Sequence, residues 1–126
     1  MAPGDSVAKT YVVELSSFQL EGIERFRPDV AVLLNVAPDH QDRYADHAAY
    51  RAAKGRIFEN QRAEDQAVLN RDDAEVMGFA EHLTPRVSLF SAKEPVPDGA
   101  GVENGQIVLR REGKSSRVLP VEALPL

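Results

Sequence analysis

Residues 11–19 read Tyr-Val-Val-Glu-Leu-Ser-Ser-Phe-Gln, and the prediction of the fold starts from this stretch. Its first three residues favour β-structure, and apolar residues follow at roughly helical spacing as far as Phe26. The pattern predicts a strand over residues 11–15 that turns directly into a helix over residues 18–26. In open parallel α/β sheets, such a turn lies at the carboxyl edge of the sheet, where ligands bind.

The polar residues of this stretch suggest a binding site. Glu14 would place a carboxylate at the tip of a buried strand, facing that site. The two serines and the glutamine would add hydroxyl and amide groups beside a helix N-terminus, whose free N–H groups favour anions. The structural alternative is equally simple: Ser17 is only a helix N-cap, and Glu14 is only a solvated strand end.

Size and composition exclude several classes of protein. The chain has 126 residues, enough for one domain with a real core, and 43% of them are apolar. A net charge of -5 without a basic stripe argues against a nucleic-acid partner. The absence of cysteine excludes disulfides, thiolate zinc sites and a cysteine nucleophile. The longest apolar run, residues 30–34, is too short to span a membrane, and the first residues lack a signal sequence. We therefore expect a cytoplasmic protein or a piece of one.

The middle of the chain alternates between strand and helix patterns. Residues 30–36 are apolar on both faces, as in a central parallel strand, and residues 66–70 and 86–90 are two further predicted strands. Asp72 and Glu75 match a capping box that would begin an amphipathic helix. Another helix is predicted over residues 46–60, and its apolar face would comprise Ala48, Ala49, Ala52, Ala53 and Ile57.

The last quarter of the chain has the pattern of antiparallel hairpins. Asn104-Gly105 precedes an alternating run, residues 106–110, and this pair is a strong hairpin signal. Another turn is predicted at residues 112–114, followed by a strand over residues 117–121. Taken together, the chain predicts an α/β fold: a doubly wound parallel sheet with a small antiparallel sheet at the C-terminal end.

Four parallel strands and three helices are few for a complete domain of this architecture. We therefore expect residues 1–126 to form a single partial domain. A sheet that is cut in this way has an exposed edge strand, and such an edge would allow the chain to dimerise.

Five residues stand out as candidates for chemistry: Glu14, Asp39, His40, Asp42 and Lys54. The carboxylates and the imidazole, without thiolates, suit a hard cation such as magnesium or manganese. For His40, the alternatives are a metal ligand, a phosphate contact and a structural histidine. Lys54 lies on the predicted apolar face of its helix, so either burial favours its neutral amine or the side chain reaches past that face to water.

Four blocks of sequence resemble the Mur ligases. They are residues 11–21, 35–44, 50–57 and 68–73, which follow in the order and nearly the spacing of that family. The Ser-Ser-Phe-Gln-Leu form of the first block resembles the branch of the family that adds D-glutamate. The blocks cover about half of the chain.

The resemblance implies a cytoplasmic enzyme of peptidoglycan synthesis. Such an enzyme uses ATP and Mg²⁺ to phosphorylate the carboxylate of UDP-N-acetylmuramoyl-L-alanine, and the amine of D-glutamate then attacks the acyl phosphate. By position, Glu14 resembles the family's magnesium ligand and His40 resembles the histidine at a second metal. Lys54 matches the lysine that is carbamylated and helps to hold that metal, while Ser16 and Gln19 match positions that contact the muramoyl substrate.

The chain also departs from the family pattern. It contains no Gly-x-x-x-x-Gly-Lys-Ser/Thr phosphate loop, which the family carries before the block at residue 11, and no Gly-x-His-Asn-x-x-Asn block. The family's flanking N-terminal and C-terminal domains are missing as well. We expect a central ATP-binding domain fragment that is inactive alone. Two alternatives stay open: another amide-forming ligase of the Mur or folylpolyglutamate type, and a degenerate, non-catalytic binding domain.

Overall fold

The computed structural model describes residues 7–37 and 46–125, and within them one mixed six-stranded sheet forms the centre of the fold. Its strands lie side by side in chain order. The first four are parallel to one another and the last two are antiparallel. They are β1 (Val30–Leu33), β2 (Gln66–Asn70), β3 (Arg86–Phe90), β4 (Gly99–Glu103), β5 (Gln106–Arg111) and β6 (Lys114–Pro120). The α/β class and the antiparallel C-terminal end are confirmed, and the described strands run in chain order without a reversal.

In the part of the chain that the structure describes, three short α-helices accompany the sheet: α1 (Ser17–Glu21), α2 (His47–Gly55) and α3 (Ala74–Met77). Single 3₁₀ turns follow at Arg56–Phe58, Ala80–His82 and Val121–Ala123. In the described part of the chain, no helix combines the length and the apolar character needed to cross a membrane.

The core lies on one face of the three leading parallel strands. Strand residues that alternate along β1 and β2 meet side chains from α2, its 3₁₀ extension and α3. Leu69 and Val76 are completely buried. The buried cluster consists of Ala31, Leu33, Val36, Tyr50, Phe58, Ala67, Leu69 and Val76. This packing holds α2 and α3 on the sheet. It thereby also positions the ends of β1 and β2, which contribute to the same cluster.

An outer layer is formed by α1 and the chain that follows it. The guanidinium of Arg56 donates to the carbonyls of Glu21 and Ile23, and Asn60 Nδ2 donates to the carbonyls of Glu24 and Phe26. These bonds hold the segment after α1 against the 3₁₀ turn that extends α2, and they pair carbonyls that no sheet ladder engages.

The predicted strand over residues 11–15 is wrong. This segment has no regular secondary structure, and Tyr11, Val12 and Val13 are largely exposed, Val12 to 95%. β-Propensity describes how a side chain fits a half-buried sheet surface, and no described strand lies beside this segment to form a ladder with it. The helix that follows is shorter than predicted and ends at Glu21 rather than at residue 26.

Two details of the layers also differ from the predictions. β1 is an edge strand rather than a central one among the described strands, and Val30 and Val32 on its second face are exposed. The predicted alanine face of α2 is wrong, because Ala48, Ala49 and Ala52 are exposed. Tyr50, Ala53 and Phe58 are the side chains that this region buries in the core. The Tyr50 ring, one position after Ala49, packs in the core cluster in place of these alanine methyl groups.

The later elements follow the sequence patterns more closely. β2 and β3 have their predicted bounds. Both hairpin turns are confirmed: Asn104 and Gly105 have φ of 51° and 73°, and Glu112 and Gly113 have φ of 52° and 77°. These positive values are those of tight hairpin turns. The predicted last strand begins earlier, at Lys114, and its hairpin is appended to the parallel strands within the same sheet, as predicted.

The parallel and antiparallel parts join where β4 pairs with β3. Gly99 has φ of 129°, and a Cβ atom there would lie 1.8 Å from the carbonyl oxygen of Leu89. Only glycine can therefore occupy the first position of this pairing.

A partly buried ion pair between Arg27 and Asp65 lies at the amino end of the sheet, just before β2. Both oxygens of Asp65 accept from the Arg27 guanidinium, at 2.7 and 2.8 Å, and one of them also accepts from the Arg62 N–H at 2.7 Å. The Arg27 hydrogen bonds, and next the Arg62 N–H, hold the pKa of Asp65 below its ordinary value of 3.8. Glu64 contacts the same arginine at 3.1 Å but is 65% exposed, compared with 3% for Asp65.

We predict that Asp65→Asn lowers the free energy of unfolding in a pH-dependent way, whereas Glu64→Gln changes it little. Because the folded-state pKa of Asp65 is lowered, its contribution is complete above the unfolded-state pKa and is lost as pH falls through the folded-state value. Urea denaturation of this chain should therefore show a wild-type advantage at neutral pH that shrinks below pH about 4. An equal advantage at all pH values would contradict the assignment of this effect to Asp65.

Candidate functional site

Ser16 and Gln19, the predicted substrate contacts, form the N-terminal cap of α1. Ser16 Oγ accepts from the Gln19 N–H at 3.3 Å, and Gln19 Oε1 accepts from the Ser16 N–H at 2.9 Å. This reciprocal pair is a capping box. The N-cap is therefore Ser16 and not Ser17, whose side chain is buried. Both polar side chains have a structural role in this arrangement, and both are exposed to solvent.

Glu14 precedes this cap in an exposed, irregular segment. Within residues 7–37 and 46–125, no hydrogen bond or ion pair engages its carboxylate. It does not lie at the tip of a strand, because the strand predicted to carry it does not form.

Lys54 lies in the last turn of α2 and is half-buried. Its Nζ donates to the carbonyl oxygen of Asn35 at 2.9 Å and lies 5.2 Å from the centre of the Tyr50 ring. Asn35 follows the carboxyl end of β1. The lysine therefore lies at the sheet edge predicted for the site, and it reaches that edge through a backbone carbonyl rather than through a carboxylate.

His40, Asp39 and Asp42 lie outside the described residues. In the described ranges, no group of three His, Cys, Asp or Glu side chains lies close enough together to hold a metal ion. The chemistry of the candidate donors nevertheless fits a hard cation, because Glu14 and a carbamylated Lys54 would both offer carboxylate-type oxygens. α1 packs against α2, so the elements that carry the capping pair and Lys54 are neighbours.

Two polar residues, Asn70 at the end of β2 and Asp73 beyond it, were not among the predicted site residues, although they lie at the same edge. Asn70 Nδ2 donates to the Leu34 carbonyl at 2.9 Å, and Asp73 Oδ2 accepts from the Val36 N–H at 3.3 Å. Asp73, not Asp72, is the N-cap of α3. The sequence does contain a signal for Asn70 and Asp73. Both stand at the carboxyl end of a predicted strand, which is the pattern that indicated Glu14.

Asp72 has a different role, in joining the ends of β2 and β3. Its carboxylate accepts from the Ser91 hydroxyl at 2.6 Å and from the Ala92 N–H at 2.8 Å. These two bonds, the Ser91 hydroxyl first, lower the pKa of Asp72 from its ordinary value. The capping box predicted at Asp72 is therefore wrong, because this carboxylate faces the neighbouring strand instead of the helix.

A surface pocket of about 410 Å³ lies between α2 and α3 and is separate from these residues. It is lined by Arg51, Ala74, Glu75 and Gly78. The Glu75 carboxylate there pairs with Arg51 at 3.2 Å and approaches His47 at 3.3 Å. These contacts tie the two helices together, and Glu14, Ser16, Gln19 and Lys54, the predicted site residues that the structure describes, do not line this pocket.

Comparison with known families covers almost all of the chain. Residues 4–124 match the Mur ligase middle domain. The chain belongs to this family. The Mur ligase resemblance of the four sequence blocks is thereby confirmed, and the match extends over the antiparallel strands, which those blocks did not include.

Relatives of this Mur ligase domain carry a more specific name. The chain is 53% identical over 114 residues to the UDP-N-acetylmuramoylalanine–D-glutamate ligase of Geotalea daltonii, which covers 90% of this chain and 25% of the relative. It is 48% identical over 115 residues to the ligase of the same name from Desulfitobacterium hafniense, covering 91% of this chain and 25% of the relative. The chain thus spans about a quarter of the length of these relatives.

Among solved structures, the MurF ligase from Thermotoga maritima in complex with ADP is similar to this chain. The TM-score is 0.48 at 21% sequence identity, and the match covers 74% of this chain and 22% of the other.

For this Mur ligase domain we predict that Ser16→Ala lowers the free energy of unfolding by about 0.5–2 kcal/mol, the usual effect of removing an N-cap hydroxyl. Ser16→Thr keeps the hydroxyl and should retain most of the stability. Urea denaturation of this chain and of both variants tests the cap. If Ser16→Ala unfolds at the same urea concentration as the wild type, the capping box does not contribute to stability.

Proposed function

We propose that this chain is the central part of an ATP-dependent ligase that joins D-glutamate to UDP-N-acetylmuramoyl-L-alanine in peptidoglycan synthesis. The observation that carries the proposal is the similarity to D-glutamate ligases, 53% identical in the first of them, over about nine-tenths of the chain. Because the chain spans a quarter of those relatives, the remaining parts of the machinery belong to other segments of such an enzyme. On this proposal, residues 1–126 are a partial domain that is inactive alone.

The proposed reaction has two steps. An oxygen of the substrate carboxylate attacks the γ-phosphorus of ATP, and ADP leaves, so that an acyl phosphate forms. The nitrogen of D-glutamate then attacks the acyl carbon, loses a proton, and expels inorganic phosphate as the amide bond forms. Both steps bring several negative charges together, so positive groups must offset them.

The roles of the site residues are part of the proposal. Glu14, His40 and Lys54, the last as its carbamate, would hold divalent cations. Mg²⁺, when bound, would offset the charge of the phosphates and of the acyl phosphate. Ser16 and Gln19 would contact the muramoyl substrate with the side chains that also cap α1. Both side chains are exposed at the cap, which leaves their hydroxyl and amide groups accessible.

The proposal includes a cytoplasmic location, since an enzyme that consumes ATP works where ATP is available. A panel of acceptor amino acids distinguishes this ligase from two alternatives. A related amide-forming ligase would prefer another amino acid in a panel of acceptors. A non-catalytic binding domain would release no phosphate with any of them.

We predict that the full-length ligase releases phosphate from ATP and UDP-N-acetylmuramoyl-L-alanine in the presence of Mg²⁺, and that this release depends on D-glutamate. Glu14→Ala and Lys54→Ala should each lower the rate roughly 100-fold or more, because each removes a group that offsets or positions charge. A colorimetric phosphate assay measures the rate with and without D-glutamate.

Two matched variants control this experiment. Glu81→Ala and Lys114→Ala remove the same side chains at exposed positions, in the 3₁₀ turn after α3 and in the last hairpin, and should retain the wild-type rate. No D-glutamate-dependent release from the full-length protein would contradict the ligase proposal. If the control variants lose as much of the rate as the site variants do, the roles assigned to Glu14 and Lys54 are wrong.

We also propose that the isolated chain can dimerise through the free edge of β1. Among the described strands β1 pairs only with β2, and Val30 and Val32 beside this edge are 56% and 44% exposed. An unpaired edge with apolar side chains is a template for pairing with a second copy.

Sedimentation velocity of the isolated chain should therefore reveal a concentration-dependent dimer, which Val32→Lys weakens because a charged residue disfavours edge pairing. Val118→Lys makes the same change on the opposite edge strand, β6, at a similarly exposed position, and should leave the dimer intact. A chain that remains monomeric at all concentrations would refute this part of the proposal.

A further inference from the structure

The backbone of residues 34–36 is held by side chains from three different elements. Asn70, at the end of β2, donates to the Leu34 carbonyl at 2.9 Å. Lys54, on α2, donates to the Asn35 carbonyl at 2.9 Å. Asp73, before α3, accepts from the Val36 N–H at 3.3 Å.

These bonds replace a sheet ladder that has ended. The parallel pairing of β1 with β2 runs from Val30 to Leu33, so the following backbone groups have no partner strand on that side. Val36 is only 3% exposed, and its N–H needs a hydrogen-bond acceptor within the protein. Asn70 and Asp73 therefore determine the course of the chain as it leaves β1.

Both side chains are themselves fixed by further bonds. Asn70 Oδ1 accepts from the Asp72 N–H at 2.9 Å. Asp73 Oδ1 accepts from the N–H groups of Glu75 and Val76, at 2.9 and 3.1 Å, and so caps α3. Each side chain thus uses one atom to hold its own loop and another to hold the exit of β1. We call this pair, Asn70 and Asp73, the β1 clamp.

The Lys54 amine depends on the same backbone. Within residues 7–37 and 46–125, the Asn35 carbonyl is the hydrogen-bond acceptor of Nζ, and no carboxylate pairs with it. A lysine side chain has four flexible bonds, so the amine is held by this carbonyl together with the face of the Tyr50 ring, 5.2 Å away. The neighbours of Asn35 on both sides are the residues that the β1 clamp holds.

We propose that Asn70 and Asp73 are positioning residues, which place the Asn35 carbonyl and thereby the amine of Lys54 at the carboxyl edge of the sheet. The proposal deepens the proposed function and rests on it for its catalytic consequence. When the neutral amine attacks CO₂, the new N–C bond forms and one proton leaves to solvent. The carbamate nitrogen keeps its other hydrogen, so it can still donate to Asn35.

Two near-isosteric variants each remove one hydrogen bond between the β1 clamp and residues 34–36, and they preserve the shape of the side chain. Asp73→Asn keeps the oxygen that caps α3 but presents an NH₂ group to the Val36 N–H, which then has no acceptor. Asn70→Asp keeps the oxygen that accepts from Asp72 but presents a carboxylate oxygen to the Leu34 carbonyl.

The chain offers a matched control for each of them. Asp46 caps α2 by accepting from the Ala49 N–H at 2.7 Å, so Asp46→Asn makes the same change at a helix cap that has no hydrogen bond to residues 34–36. Asn60 Nδ2 donates to the carbonyls of Glu24 and Phe26, so Asn60→Asp makes the same change against other carbonyls.

The first test uses the full-length protein in CO₂-free buffer and does not require activity. Hydrogen–deuterium exchange resolved to the Val36 amide should accelerate roughly tenfold in Asp73→Asn, the effect of losing one hydrogen bond, and not in Asp46→Asn. Acylation of Lys54, measured by mass spectrometry relative to Lys93, should rise several-fold in both clamp variants and in neither control.

The second test follows D-glutamate-dependent phosphate release as bicarbonate is varied. If the clamp positions the amine, both clamp variants need more bicarbonate for half-maximal rate than the wild type and the controls. A purely structural defect would lower the rate at every bicarbonate concentration alike, and would therefore contradict the positioning role.

The two tests separate this proposal from the ligase proposal. Faster Val36 exchange with unchanged Lys54 acylation would overturn the positioning of the lysine. The predicted changes in exchange and acylation, in a protein that releases no phosphate with D-glutamate, would uphold the clamp and reject the ligase.

Discussion

Backbone groups need hydrogen-bond partners where a parallel strand stops being paired. The structure around residues 34–36, which follow β1, depends on this requirement. β1 forms four paired positions with β2, and beyond Leu33 its chain continues without a ladder. The core holds β1 and β2 together through fully or nearly fully buried residues such as Ala67 and Leu69. That packing brings the polar residues after β2 within reach of the β1 exit, where they satisfy the unpaired groups.

The same constraint explains which elements could be predicted from the sequence. β2, β3 and the two hairpin turns depend on local signals, namely a short apolar run or a residue pair that accepts positive φ, and these were predicted well. The strand over residues 11–15 depends on a partner strand, which no local pattern can supply. The shift of the α3 cap from Asp72 to Asp73 has a similar cause. Either aspartate could cap the helix, and the hydroxyl of Ser91, distant in sequence, engages Asp72.

The sequence was enough to predict the types of residue in the candidate site. It was not enough to predict the hydrogen bonds that position them. Lys54 was identified from its helix position and from the family resemblance, and it does reach the carboxyl end of β1. Its acceptor could not be foreseen, because a backbone carbonyl leaves no signature in sequence. Ser16 and Gln19 illustrate a different problem, since a capping box and a substrate contact require the same residue types. The family resemblance leads us to expect that Ser16 and Gln19 contact the substrate, and the structure shows that they cap α1.

On the proposed function, a metal-binding site forms where the chain leaves β1, with Lys54 held there and Glu14 contributing a ligand. The most direct measurement is the crystal structure of the full-length protein with ADP and Mn²⁺, with anomalous diffraction locating the metal. We expect an anomalous peak in coordination contact with the Glu14 carboxylate and with a carbamate on Lys54, while Asn70 and Asp73 keep their bonds to residues 34–36. A metal bound elsewhere, with an unmodified Lys54 remote from it, would show that Glu14 and Lys54 do not hold the metal.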